Sequence, residues 1–176
     1  MDARWSGLLR LDYFDAVDGS ALDPPSWWRE SAGAYGCYLS HLALLEESDG
    51  VTFVLEDDAV PSSLLAPALS RSLPDDGWDL LYFGGQLSPL SMRMRRSSTP
   101  CLIEAEHVSR THAYVVRDPR QTSQLLRREL RRGVHVDEVL AYSGLRQVVW
   151  HPFLVGQGAG RSDIWGDERS SDEFWN

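Results

Sequence analysis

The stretch FVLEDDAVP, residues 53–61, restricts this chain more than any other. A β-branched, apolar run, VTFVL (51–55), follows the turn signal Ser48-Asp49-Gly50 and has the character of a buried strand. It stops at Glu56, Asp57 and Asp58. Adjacent carboxylates repel one another and lose hydration on burial, so a core strand that ends in them must emerge at an edge of the core. Alternate residues of an extended chain share a face, which puts Glu56 and Asp58 on one side. Two hard oxygen donors on one side suit Mg2+ or Mn2+, and such a cation cancels the repulsion. The competing reading is a solvated acidic loop tip, with Asp58 capping a helix that begins after Pro61.

The rest of the chain alternates strands with helices. WDLLYFGG (78–85), HAYVV (112–116) and part of RQVVWHPFLV (146–155) are expected as further strands. AYGCYLSHLALLEES (34–48) carries Tyr and Leu at helical spacing. Asp118-Pro119 is an N-cap followed by proline at the first helical position, and that helix should stop at Gly133. HVDEVLAYSG (135–144) is a shorter helix. This alternation predicts an α/β sheet with its ligands at the carboxyl ends of the strands, where Glu56, Asp57 and Asp58 lie.

At 176 residues the chain suits one domain, read as 1–164, with an acidic, mobile tail over 165–176. With 17 basic against 26 acidic side chains, general attraction to nucleic acid or to an anionic membrane is not expected. No apolar run approaches a membrane span and no signal peptide is visible, so a cytoplasmic protein is expected. Cys37 and Cys101 fit no metal spacing and are expected as buried free thiols.

Six segments, DAVDGS (15–20), GAYGCYLSHLALL (33–45), VLEDDAV (54–60), THAYVV (111–116), HVDEVL (135–140) and PFLVGQ with SDI (152–164), occur in this order. Together they resemble glycosyltransferase family 25, over nearly the whole chain. The resemblance implies a GT-A-like (Rossmann-like) nucleotide-sugar-binding fold, a mixed sheet flanked by helices. It implies transfer of a hexose from a nucleotide-sugar, commonly a UDP-sugar, to an acceptor hydroxyl, with inversion. Glu56 and Asp58 would then hold Mn2+ or Mg2+, with Asp57 near the donor. His151, at a strand end, is the candidate third metal ligand. Ser40, His41 and Gln157 are candidates beside the donor nucleotide, and Ser162-Asp163 for a closing segment. His41 reads equally as a packed core residue. Asp137 is the candidate base for the acceptor proton and Glu138 its rival; either also suits the first turn of a helix.

Thr111 and Tyr114 are within the expected reach of an acceptor, although Tyr114 also fits a core strand. Trp27-Trp28 reads as a sugar-stacking platform or a hydrophobic plug. RMRR (93–96) reads as a solvated loop or a clamp on an anionic group.

Relatives open with a strand that starts the nucleotide pocket, and DARW resembles the end of the turn after it. The resemblance thus implies a sheet lacking that strand, with an open edge that a homodimer would cover. The same departure motivates the alternative function, a non-catalytic binding or scaffolding domain. The acceptor is open: a lipooligosaccharide, a protein side chain, a small natural product or a modified DNA base all fit.

Overall fold

The computed structural model describes residues 2–70, 77–87, 95–96, 100–161, 164 and 168–173. In chain order the elements are α1 (Asp2–Trp5), a 3-10 turn (Gly19–Ala21), α2 (Ala32–Glu47), β1 (Thr52–Leu55), β2 (Ala59–Pro61) and α3 (Leu65–Leu69). Next come β3 (Leu80–Gln86), β4 (Arg95–Arg96), β5 (Leu102–Ala105), β6 (Ser109–Val116), α4 (Pro119–Glu129) and a 3-10 turn (Leu130–Arg132). The last are α5 (Val136–Ala141), β7 (Gln147–Trp150), β8 (Val155–Gln157), β9 (Gly160–Arg161) and β10 (Glu168–Arg169).

The predicted strands join one mixed, six-stranded sheet in the order β1-β6-β3-β7-β5-β4. β6 is antiparallel to both β1 and β3, and β3 is parallel to β7. The carboxyl ends of β1, β3 and β7 therefore share one end of the sheet with the amino end of β6. β1 lies at one edge of this sheet among the described residues.

The alternation along each strand feeds two cores. Leu80, Tyr82, Tyr114 and Val116 face a cluster with Tyr38, Leu42 and Leu45 of α2, Leu126 of α4 and Leu140 of α5. Leu81, Phe83, Ala113 and Val115 face the other side, packing with Trp5, Leu65, Trp78 and Leu154. Helices thus flank the sheet on both faces, and the architecture is Rossmann-like α/β.

The helix signals hold closely. The Asp118 carboxylate accepts from the Gln121 amide at 2.9 Å with Pro119 behind it, and Gly133 ends the segment at φ 67°. Asp118→Ala is expected to cost about 1 kcal/mol in a denaturant melt, because it deletes the cap without touching the core. α2 begins earlier than the apolar spacing suggested, because Ser31 caps it through the Ala34 amide.

The short strands were missed. β2 and β8 form a two-stranded ribbon, and β5, LIEA, is interrupted by Glu104 and so does not read as an apolar run. Asp58 caps no helix, because Ala59–Pro61 continues as β2 and the cap position of α3 is Leu64. Within the segment read as a tail, β10 pairs with β9 and Glu173 exchanges backbone hydrogen bonds with Gln157, so these positions are tied to the domain. Both cysteines are free, but neither is buried: Cys37 is half-buried and Cys101 is exposed at φ 71°. Arg93, Met94, Ser162 and Asp163 lie outside the described residues.

Candidate functional site at the carboxyl end of the sheet

The acidic run is a tight turn between the sheet and the β2–β8 ribbon. The Glu56 amide donates to the His112 carbonyl, prolonging the β1 ladder, and the Ala59 amide donates back to the Glu56 carbonyl. Asp57 is exposed at the tip, and Glu56 and Asp58 are partly buried. The two flanking carboxylates point to different partners. Glu56 Oε1 accepts from Thr111 Oγ1 at 2.6 Å and from His41 Nε2 at 3.2 Å. Asp58 Oδ2 accepts from Gln157 Nε2 at 3.0 Å, and the Gly158 amide donates to the Asp58 carbonyl.

His41 is buried between Glu56 and Tyr114, with Nδ1 2.9 Å from the phenolic oxygen. Burial pushes its imidazolium down, but Tyr114, Cys37 and Glu56 outweigh this and hold it well above the usual histidine range. For Glu56, burial raises the carboxyl, while the His41 hydrogen bond and charge and the Thr111 hydrogen bond bring it down to about 2. The resulting state is an imidazolium facing a carboxylate, with the Tyr114 phenol kept protonated by burial.

Asp137 reaches the same end of the sheet by another route. It lies in the first turn of α5, whose cap position is His135, and its Oδ2 accepts from the Arg110 amide at 2.9 Å. Arg110 sits at φ 69°, a left-handed conformation that costs a non-glycine residue about 1 kcal/mol or more. Consecutive residues of β6 thus hold two carboxylates, Arg110 that of Asp137 and Thr111 that of Glu56. Beside them β3 and β6 shift register around Gly84, an irregularity of the kind that re-aims side chains near sites. Glu138 points elsewhere, 4.0 Å from Arg132 and 44% exposed.

The other candidates separate. Ser40 Oγ donates to the Gly36 carbonyl and accepts from the Val17 amide, so it clamps the 15–20 segment onto α2. A Cβ on Gly36 would come within 2.7 Å of Gly19, which explains why glycines recur in both segments. Gln157 is buried, and its Oε1 has no hydrogen-bond partner among the described residues. His151 follows β7, three strands from β1 or about 14 Å along the sheet. Its amide donates to Cys101, and it does not join the acidic turn in any metal-capable group among the described residues. Trp28 is a buried plug against Tyr35 and Tyr38, its indole donating to the Ser31 carbonyl. An open cavity of about 610 Å³ lies at the other end of the sheet, beside Ala105, Tyr142 and Gln147.

Mg2+ or Mn2+ requires converging oxygen donors. Glu56 is instead gathered with His41 and Cys37, and Asp58 is not part of that group. Glu56 and Asp58 are engaged by different partners, Thr111 and His41 for the first and Gln157 for the second.

The Rossmann-like α/β sheet thus carries an acidic turn, a buried histidine and a further carboxylate at its carboxyl end. The human protein named inactive glycosyltransferase 25 family member 3 is 32% identical over 127 residues, 67% of this chain and 21% of the relative. The chain belongs to the glycosyltransferase 25-like family, and it spans about a fifth of that relative's length. No family model matches it.

Proposed function

We propose that the domain is a glycosyltransferase that binds a nucleotide-sugar, a UDP-hexose by family, at the carboxyl end of its sheet and passes the sugar to an acceptor hydroxyl with inversion. The observation that supports this best is the meeting of two acidic segments across one strand start, Glu56 through Thr111 and Asp137 through Arg110. In this reading the acceptor oxygen attacks the anomeric carbon as the nucleoside diphosphate departs. Asp137, held by a backbone amide, takes the acceptor's proton. Asp57, exposed at the tip, faces the donor, and buried Gln157 holds the turn through its amide on Asp58.

UDP titrated calorimetrically into the protein, with Mn2+ and then with EDTA, tests the donor site. Binding is expected, and Asp57→Ala should weaken it about tenfold while the melting temperature stays within roughly 2 °C, because Asp57 is exposed. Absence of binding in both conditions would overturn the donor reading. Affinity that depends on Mn2+ would show that the turn rearranges to hold the ion.

A second reading is favoured by the relative's designation as inactive: a domain that retains the fold and binds without turnover. It predicts UDP binding with no release of hexose from any UDP-sugar.

A further inference from the structure

We propose that Cys37, His41 and Glu56 form a binding site for a borderline-soft divalent transition ion, zinc by its chemistry. Cys37 and His41 lie one turn apart on α2 and so project from the same face of the helix. Glu56, the residue that follows β1, meets this face through His41 Nε2 at 3.2 Å. One ligand atom from each side chain, a thiol sulfur, an imidazole nitrogen and a carboxylate oxygen, lies within 4.8 Å of the other two. Tetrahedral zinc bonds of about 2.0–2.3 Å require separations of about 3.5 Å, within reach of small side-chain rotations.

The donor types decide the ion. Sulfur and nitrogen with one carboxylate suit zinc and disfavour Mg2+. The surroundings already resemble those of a metal ligand set. The hydroxyl of Tyr114 holds the His41 ring at Nδ1, leaving Nε2 directed at the centre, and Thr111 fixes the Glu56 carboxylate. Zinc would displace the thiol proton of Cys37 and the Nε2 proton of His41 to solvent. Three protein ligands leave a fourth position for water or a ligand atom. The site stands independently of the nucleotide-sugar reading, since its test uses neither nucleotide nor turnover.

Cobalt(II) is the probe, because thiolate ligation gives a near-ultraviolet charge-transfer band and tetrahedral geometry gives intense visible bands. Added to metal-free protein, Co2+ is expected to produce both, Zn2+ to abolish them and excess Mg2+ to leave them. Cys37→Ser should lose the charge-transfer band and bind Zn2+ more than about tenfold more weakly, and Cys101→Ser should match the parent. No thiolate band, a band that survives Cys37→Ser, or one lost in Cys101→Ser overturns the site. A measurement on the unsubstituted protein guards against a variant that fails to fold. Zn2+ should protect Cys37 from alkylation, read by peptide mass, and leave exposed Cys101 reactive. Equal labelling of Cys37 with and without Zn2+ also overturns it.

Discussion

Glu56→Gln is expected to lower the unfolding free energy of the metal-free protein by about 3 kcal/mol at pH 6, because it strands the buried His41 imidazolium without its counter-charge. For a chain of this size that is a fall of roughly 6–12 °C in melting temperature. The pH dependence has two limbs. The Glu56 carboxyl falls from 4.5 to about 2 on folding, so its contribution is complete above 4.5 and disappears as pH falls through about 2. His41 rises above 6.5 on folding, so its contribution is complete below 6.5 and disappears as pH climbs through the raised value. The pair is therefore strongest between pH 4.5 and 6.5. Urea melts from pH 2 to 9 should show a maximum there that the variant lacks. Parallel profiles for both proteins would show that the pair carries no linked stability.

Gly84→Ala should be as damaging without altering any charge. A Cβ there would lie 2.4 Å from the Val155 carbonyl oxygen and 2.4 Å from His112 Nε2. The carbonyl belongs to β8 and cannot swing aside, so the ribbon must lift from the sheet at a cost of about 3 kcal/mol. That displacement carries Gln157 away from Asp58, so nucleotide affinity should fall together with stability. Gly50→Ala is the control. It faces open space at φ 79° and should cost only about 1 kcal/mol with binding unchanged. Equal losses in the two variants would mean that backbone conformation, and not crowding beneath β8, makes Gly84 necessary.

The parts of the fold legible in the sequence were those written in local chemistry. The run VTFVL with its turn signal gave β1, and the Asp118-Pro119 pair with Gly133 bounded α4 and its 3-10 extension. β2 and β8 gave no such signal. Each has three residues, and their stability comes from pairing across almost a hundred residues of chain. The acidic turn was visible because like charges beside a core strand need a reason. Its partners were harder to foresee. Glu56 and Asp58 share a side only if the strand continues, and here the chain turns between them. Thr111 donates to Glu56, a partner that no local pattern in the sequence indicates. Cys37 has no second cysteine at metal spacing, and its neighbours are a histidine one helical turn on and a carboxylate brought by tertiary folding. The left-handed backbone at Arg110 leaves no trace in composition, since arginine is not a residue chosen for that conformation.

The edge position of β1 determines how durable the acidic turn is. Four residues fasten this strand to the sheet along one side, and its other side forms no ladder among the described residues. Amide protons there should exchange with solvent well before those of β3 and β6, which lie between two neighbours. The turn therefore hangs from one of the sheet's less securely held strands, and its lifetime is set by how often β1 detaches rather than by global unfolding. Any segment that added a strand along this edge would slow exchange at Phe53–Leu55 and, with no contact to a carboxylate, stiffen the geometry of Glu56.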